Sequence, residues 1–150
     1  MKGSKIKILA AVLVVFTAFF AVLHLNGREE IPANAIQIQS GDKTCTVDIT
    51  KLNYEQVIGT RMNGKGEELP VEGTGILLGK ILEQENISGY SKVTVMADDS
   101  YKVEVTAEEI HEDKKVYLLY EEESLRLIVF GDKDSKRSVS NVVQILVEVS

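Results

Sequence analysis

Eighteen consecutive residues, Ile8 to Leu25, hold sixteen apolar side chains, and only Thr17 and His24 interrupt the run. A stretch with no polar face cannot lie as a surface helix of a globular domain. As a helix it reaches roughly 27 Å at about 1.5 Å per residue, close to the ~30 Å hydrocarbon core of a bilayer. Lys2, Lys5 and Lys7 precede it, and no acidic residue occurs before position 29. The segment 1–26 is therefore expected to be a transmembrane helix. Its basic end stays in the cytoplasm and the carboxyl-terminal remainder lies outside. The competing reading is a cleaved signal peptide, which would leave a secreted domain. Cleavage needs small residues after the apolar run, and Val22-Leu23-His24-Leu25 is bulky there. No cysteine follows to carry a lipid, so an uncleaved signal anchor in the cell membrane is the preferred reading.

Once the anchor is set aside, charge constrains the rest. Beyond residue 26 the chain carries 14 Lys and Arg against 23 Asp and Glu, a net charge of −9. A phosphate backbone is bound by basic surface, so nucleic acid is excluded as a partner. The full length of 150 residues leaves room for one modest domain behind the anchor, and a single cysteine excludes a disulfide scaffold. Residues 27–34 are polar, with Gly27 and Pro32, and read as a tether to a domain spanning 35–150.

Within that domain short strand-like and helix-like pieces alternate. Ile36 and Ile38, a turn at Gly41-Asp42, then Cys45, Val47 and Ile49 predict a hairpin with one apolar face. Thr50 is placed as the cap of a short helix over Lys51–Gln56, with a strand near Val57–Met62 and a turn at Asn63–Gly66. The stripe Ile76, Leu77, Leu78 and Ile81 predicts a helix over Gly75–Gln84 capped by Thr74. Gly79 inside it points to the close approach of another backbone. Val93 and Val95, the turn Asp98-Asp99-Ser100, and Tyr101, Val103 and Val105 predict a second hairpin. Thr106-Ala107-Glu108-Glu109 has the form of a capping box. Val116–Tyr120, Leu125–Phe130 and Val142–Val149 complete the strands. The expected fold class is mixed α+β: a strand-rich single domain with a few short helices.

Motifs for familiar chemistries are incomplete. Gly79-Lys80 lacks both the earlier glycine and the following hydroxyl of a phosphate-binding loop. Asp132-Lys133-Asp134 opens like a calcium loop but has Arg137 and Val143 where glycine and glutamate are required. One histidine, His111, and one cysteine, Cys45, fall outside the anchor, so no zinc cluster forms from Cys and His. Cys45 reads as a small core residue and His111 as a surface one. Asp98 and Asp99 suit a hairpin tip for their backbone geometry. Asn86-Ile87-Ser88 has the form of a glycosylation sequon.

The order of these elements resembles the sulfite-oxidase-type oxidoreductase molybdopterin-binding domain in trimmed form. Five pieces carry the likeness over about 115 residues: Ile36–Leu52, Val71–Leu82, Ala97–Tyr101 with Thr106–Ile110, Ser124–Val129 and Asn141–Val149. The resemblance implies an α+β fold with a cofactor cleft, and it places Arg61, Asp98, Asp99, Tyr101 and Arg126 along that cleft. The family's enzymes hold molybdenum through a thiolate about a dozen residues before the glycine matching Gly73, and a soft thiolate is what that metal needs. Gly59-Thr60-Arg61-Met62 stands there instead. The expectation is therefore a non-catalytic module that binds a small molecule or a partner protein, with no metal and no catalytic residue, and with molybdopterin disfavoured. The alternative is a redox component holding a pterin or another cofactor with a partner subunit.

Overall fold

The computed structural model describes residues 32–150, so the expected membrane segment and most of the tether lie outside the described residues. Among the described residues, nine strands form two sheets. The first hairpin is β1 (Ala35–Ser40) and β2 (Lys43–Asp48), with Gly41 supplying the positive φ its turn requires. β3 (Glu55–Met62) and β4 (Glu68–Leu77) form a long antiparallel ribbon. Then follow α1 (Leu78–Gln84), β5 (Tyr90–Ala97), β6 (Lys102–Thr106) and α2 (Ala107–His111). β7 (Val116–Glu121), β8 (Ser124–Val129) and β9 (Val142–Val149) close the chain. The sheet orders are β2-β1-β9-β5-β6 and β3-β4-β7-β8, and only β1 with β9 runs parallel. The described residues form one compact unit that is strand-rich with two α-helices.

The inner faces of the two sheets share one core. Ile36, Ile38, Val93, Val95 and Ile145 of the five-stranded sheet meet Ile76, Leu118, Leu125 and Leu127 of the four-stranded sheet, with Leu78, Ile81 and Leu82 of α1 and Ile110 of α2. The five-stranded sheet alternates as a one-sided sheet does, apart from irregularities at Tyr90/Lys92 and Met96/Ala97. Its outer face is polar, where Lys92 pairs with Glu104 at 3.1 Å and Glu148 at 3.4 Å. The four-stranded sheet is apolar on both faces. Val57, Val71, Tyr117, Leu119 and Ile128 form a second cluster on its outer side, with Phe130 folded against Tyr117 edge to face.

Two predicted helices are corrected. The strand β4 continues through Leu77, so the helix expected from Gly75 starts at Leu78, and Thr74 is not its cap. Gly75 explains why. It pairs with Leu119, and a Cβ there would lie 2.8 Å from the Leu119 side chain and 3.0 Å from the Leu118 carbonyl. The glycine lets two strands come close, and the apolar run that reads as a helical stripe is partly a strand buried on both faces. The short helix expected over Lys51–Gln56 is instead a single 3-10 turn, Ile49–Lys51, capped by Asp48, whose carboxylate accepts from the Thr50 amide at 2.9 Å. Tyr54 pins that turn by donating its hydroxyl to the Ile49 carbonyl at 2.6 Å.

Other expectations hold. The capping box at Thr106 and Glu109 forms in both directions. Gly79 packs against α2, where a Cβ would sit 3.3 Å from Ile110. Both hairpins and the final strand have the expected places.

Candidate functional site

Of the five residues placed on a cleft by resemblance, Arg126 and Tyr101 bond to the connection between β8 and β9, Asp98 and Asp99 lie in the turn before Tyr101, and Arg61 stands apart. Arg126 stands on β8 opposite Leu119, on the outer face of the four-stranded sheet. Its Nε donates to Glu121 at 2.8 Å and its Nη1 to the Ser138 hydroxyl at 3.4 Å. Tyr101 follows the β5–β6 turn, and its hydroxyl donates to the Lys136 carbonyl at 2.7 Å. Arg126 and Tyr101 thus reach the same connection two residues apart. Asp98 and Asp99 are exposed at that hairpin tip, as their turn chemistry predicts. The Asp99 carboxylate accepts from the Tyr101 amide at 3.0 Å, and Ser100 takes a positive φ.

Arg61 is separate. It shares the outer-face parity of Arg126, but the cross-strand row through Arg126 runs Leu119, Gly75, Glu55. Arg61 lies six residues farther along β3, about 20 Å at the usual strand rise. There it borders a hollow with Thr60, Met62, Glu68, Gly131, Asp132 and Lys133. Arg61 has no ion-pair or hydrogen-bond partner among the described residues, and neither does Lys133. Asp132 is already engaged, since both its carboxylate oxygens accept from Arg137.

Arg137, which in the sequence shows only as a misfit in a calcium loop, anchors the β8–β9 connection. Besides Asp132 it donates to both carboxylate oxygens of Glu109, at 2.9 and 2.8 Å. Glu109 also accepts from the Thr106 amide at 3.0 Å. One carboxylate thus closes the capping box of α2 and holds the β8–β9 connection. Hydrogen bonds from Arg137, and then those from Thr106, hold the Glu109 pKa down at about 2 against the opposing effect of burial. Glu109 and Asp132 in turn raise that of Arg137. No spacing rule joins residues 109, 132 and 137, so only the fold shows this fork.

A molybdenum centre of the kind the resemblance implies would need a thiolate donor. Cys45 sits on β2 in the five-stranded sheet, half-buried, with its thiol 3.7 Å from the Ile38 carbonyl. Burial and the Glu85 carboxylate push its pKa up, which disfavours the thiolate. Arg126, the cation matched to the family's strand arginine, is occupied by Glu121 and Ser138. This donor set does not fit a pterin-bound molybdenum. Among the described residues, no group of three or more His, Cys, Asp and Glu side chains is placed to hold a metal ion. Among the same residues, no helix is long and apolar enough to cross a membrane. His111 is exposed at the end of α2, its ring tilted against that of Tyr90 with centroids 5.7 Å apart. The chain matches no protein-family model and no curated protein.

Proposed function

We propose that this chain is a membrane-anchored extracytoplasmic binding module, built on a framework resembling the oxidoreductase molybdopterin-binding domain. It engages a partner protein through β3 and the adjoining start of the β8–β9 connection. The observation that carries this reading is Arg61. It is the one cation of the five residues that the resemblance places on a cleft, apart from the engaged Arg126, and no carboxylate among the described residues satisfies it. It stands beside Lys133 on a domain that is acidic overall, so this strip suits a partner that presents a carboxylate. No catalytic step is assigned, because the titratable groups near the strip are either solvated or bound to one another.

A photoreactive benzophenone side chain substituted at Thr60 of the full chain, irradiated in native membranes, tests the reading. Discrete protein adducts at Thr60, and none from the same probe at Thr44 on β2, are expected. Unmodified chain at Thr60 overturns it. So does about one equivalent of molybdenum per chain in natively purified protein, which would restore the redox alternative.

A further inference from the structure

β3 is an edge strand that pairs with β4 alone. The Asn63 amide donates to the Glu67 carbonyl at 2.9 Å at the ribbon end. Antiparallel alternation then sends the odd-numbered residues of β3 to bond β4 and turns the N–H and C=O groups of Gln56, Ile58 and Thr60 to the free edge. At the middle of that row Ile58 is 71% exposed, the most exposed large hydrophobic side chain among the described residues. An unprotected edge with an apolar centre is a template for another strand.

The sequence of β3 specifies which strand. Glu55-Gln56-Val57-Ile58-Gly59-Thr60-Arg61 is self-complementary about Ile58. Laid antiparallel on a second copy with Ile58 facing Ile58, each Glu55 stands opposite the other chain's Arg61, each Gln56 opposite Thr60, and each Val57 opposite Gly59. The central pair is then a hydrogen-bonded one, because Ile58 is among the outward-facing residues. Glu55 is available for a cation. Its side chain is 44% exposed, and its own contacts are a 3.8 Å approach of Lys80 and a 3.3 Å bond from the Tyr117 hydroxyl. We infer that two copies of this chain associate through antiparallel β3–β3 pairing centred on Ile58, with Arg61 of each copy answered by Glu55 of the other. This rests on the partner-binding reading above and names the partner of the same strip as a second copy. A strand pair this short gives a small interface, at the weak end of specific association.

Site-specific oxidation of the full chain in mild detergent, in a Cys45→Ser background, tests the register. Ile58→Cys places two thiols across a hydrogen-bonded pair, where Cα atoms are about 5.5 Å apart, within disulfide reach. Gln56→Cys places its two thiols four residues out of register, on the order of 13 Å apart along the strands. Covalent dimer from Ile58→Cys about tenfold faster than from Gln56→Cys is expected, and the double variant Gln56→Cys with Thr60→Cys should cross-link as Ile58→Cys does. Adding Arg61→Glu should slow Ile58→Cys cross-linking, and adding Glu55→Arg as well should restore it. Equal rates at 56 and 58, or no dimer at 58, overturn the inference. The photoreactive probe at Thr60 separates the two failures. Adducts of a mass other than twice the chain overturn the second copy and leave the binding strip standing, whereas no adduct overturns both.

Discussion

The edges of the two sheets are treated differently. β2 and β6, which bound the five-stranded sheet, carry Lys43, Thr44, Thr46 and Asp48, and Lys102, Glu104 and Thr106. Polar and charged edges of this kind discourage pairing with another chain. In the four-stranded sheet, β8 is covered where Leu127 and Val139 exchange backbone bonds at 2.8 and 3.2 Å. β3 also carries Glu55, Gln56, Thr60 and Arg61, but it alone places a large apolar side chain, the 71% exposed Ile58, at the middle of its free row. Three edges are polar or covered by the chain itself, and the fourth has an apolar centre beside Arg61, which has no partner among the described residues. The contrast separates strands that serve only the core from one that also presents a surface.

The largest effects should come from the shared core. Leu118→Ala, at a fully buried position between the sheets, should cost about 2–5 kcal/mol. Leu119→Ala, its neighbour in the smaller outer cluster, should fall nearer the lower end of that range. Denaturant titration of both variants compares the two faces of one strand, and equal losses would deny that the faces differ.

Gly75→Ala comes next. Its new methyl meets the Leu118 carbonyl at 3.0 Å, and a backbone atom cannot swing aside, so about 1–3 kcal/mol of overpacking strain is expected.

Arg137→Ala should remove roughly 2 kcal/mol, the value of charged hydrogen bonds in a half-buried site. Its companion is a pH effect. Folding lowers the Glu109 pKa from an ordinary 4.5 to about 2. The carboxylate therefore stabilises the fold fully above about pH 4.5 and loses that contribution as pH falls toward 2. Thermal unfolding of the wild type and Glu109→Gln should differ most near neutral pH and converge in acid. A gap constant with pH would deny Glu109 its ion pair.

The smallest stability effect belongs to the open edge. Ile58→Thr should change stability by no more than about 0.5 kcal/mol, as for an ordinary surface position. The same substitution should abolish association between chains. A loss comparable to Leu118→Ala would mean that Ile58 serves the core and would remove the contrast between edges.

Much of the framework was legible in residue order. Period-two alternation at Ile36–Ile38, Val93–Val95 and Tyr101–Val105 marks strands of a one-sided sheet, and Thr106 with Glu109 marks a helix start, because these signals arise between near neighbours in the chain. The pattern misled at Ile76-Leu77-Leu78, where β4 passes into α1, since a strand buried on both faces loses its alternation and resembles a helical stripe. Asp98 and Asp99 fall in the tight turn that their residue type suggests. The β8–β9 connection that gathers Tyr101 and Arg126 has no local signature.

By itself the sequence determined the apolar leader, the acid excess, most of the strands and the self-complementary wording of β3, all properties of residues within a few positions of one another. Only the tertiary structure decided that Arg137 grips Glu109 and Asp132, that Arg126 is occupied while Arg61 has no partner among the described residues, and that β3 lies at an edge. These depend on which strands become neighbours, and strand order is set by burial of the two sheets against each other across the whole domain.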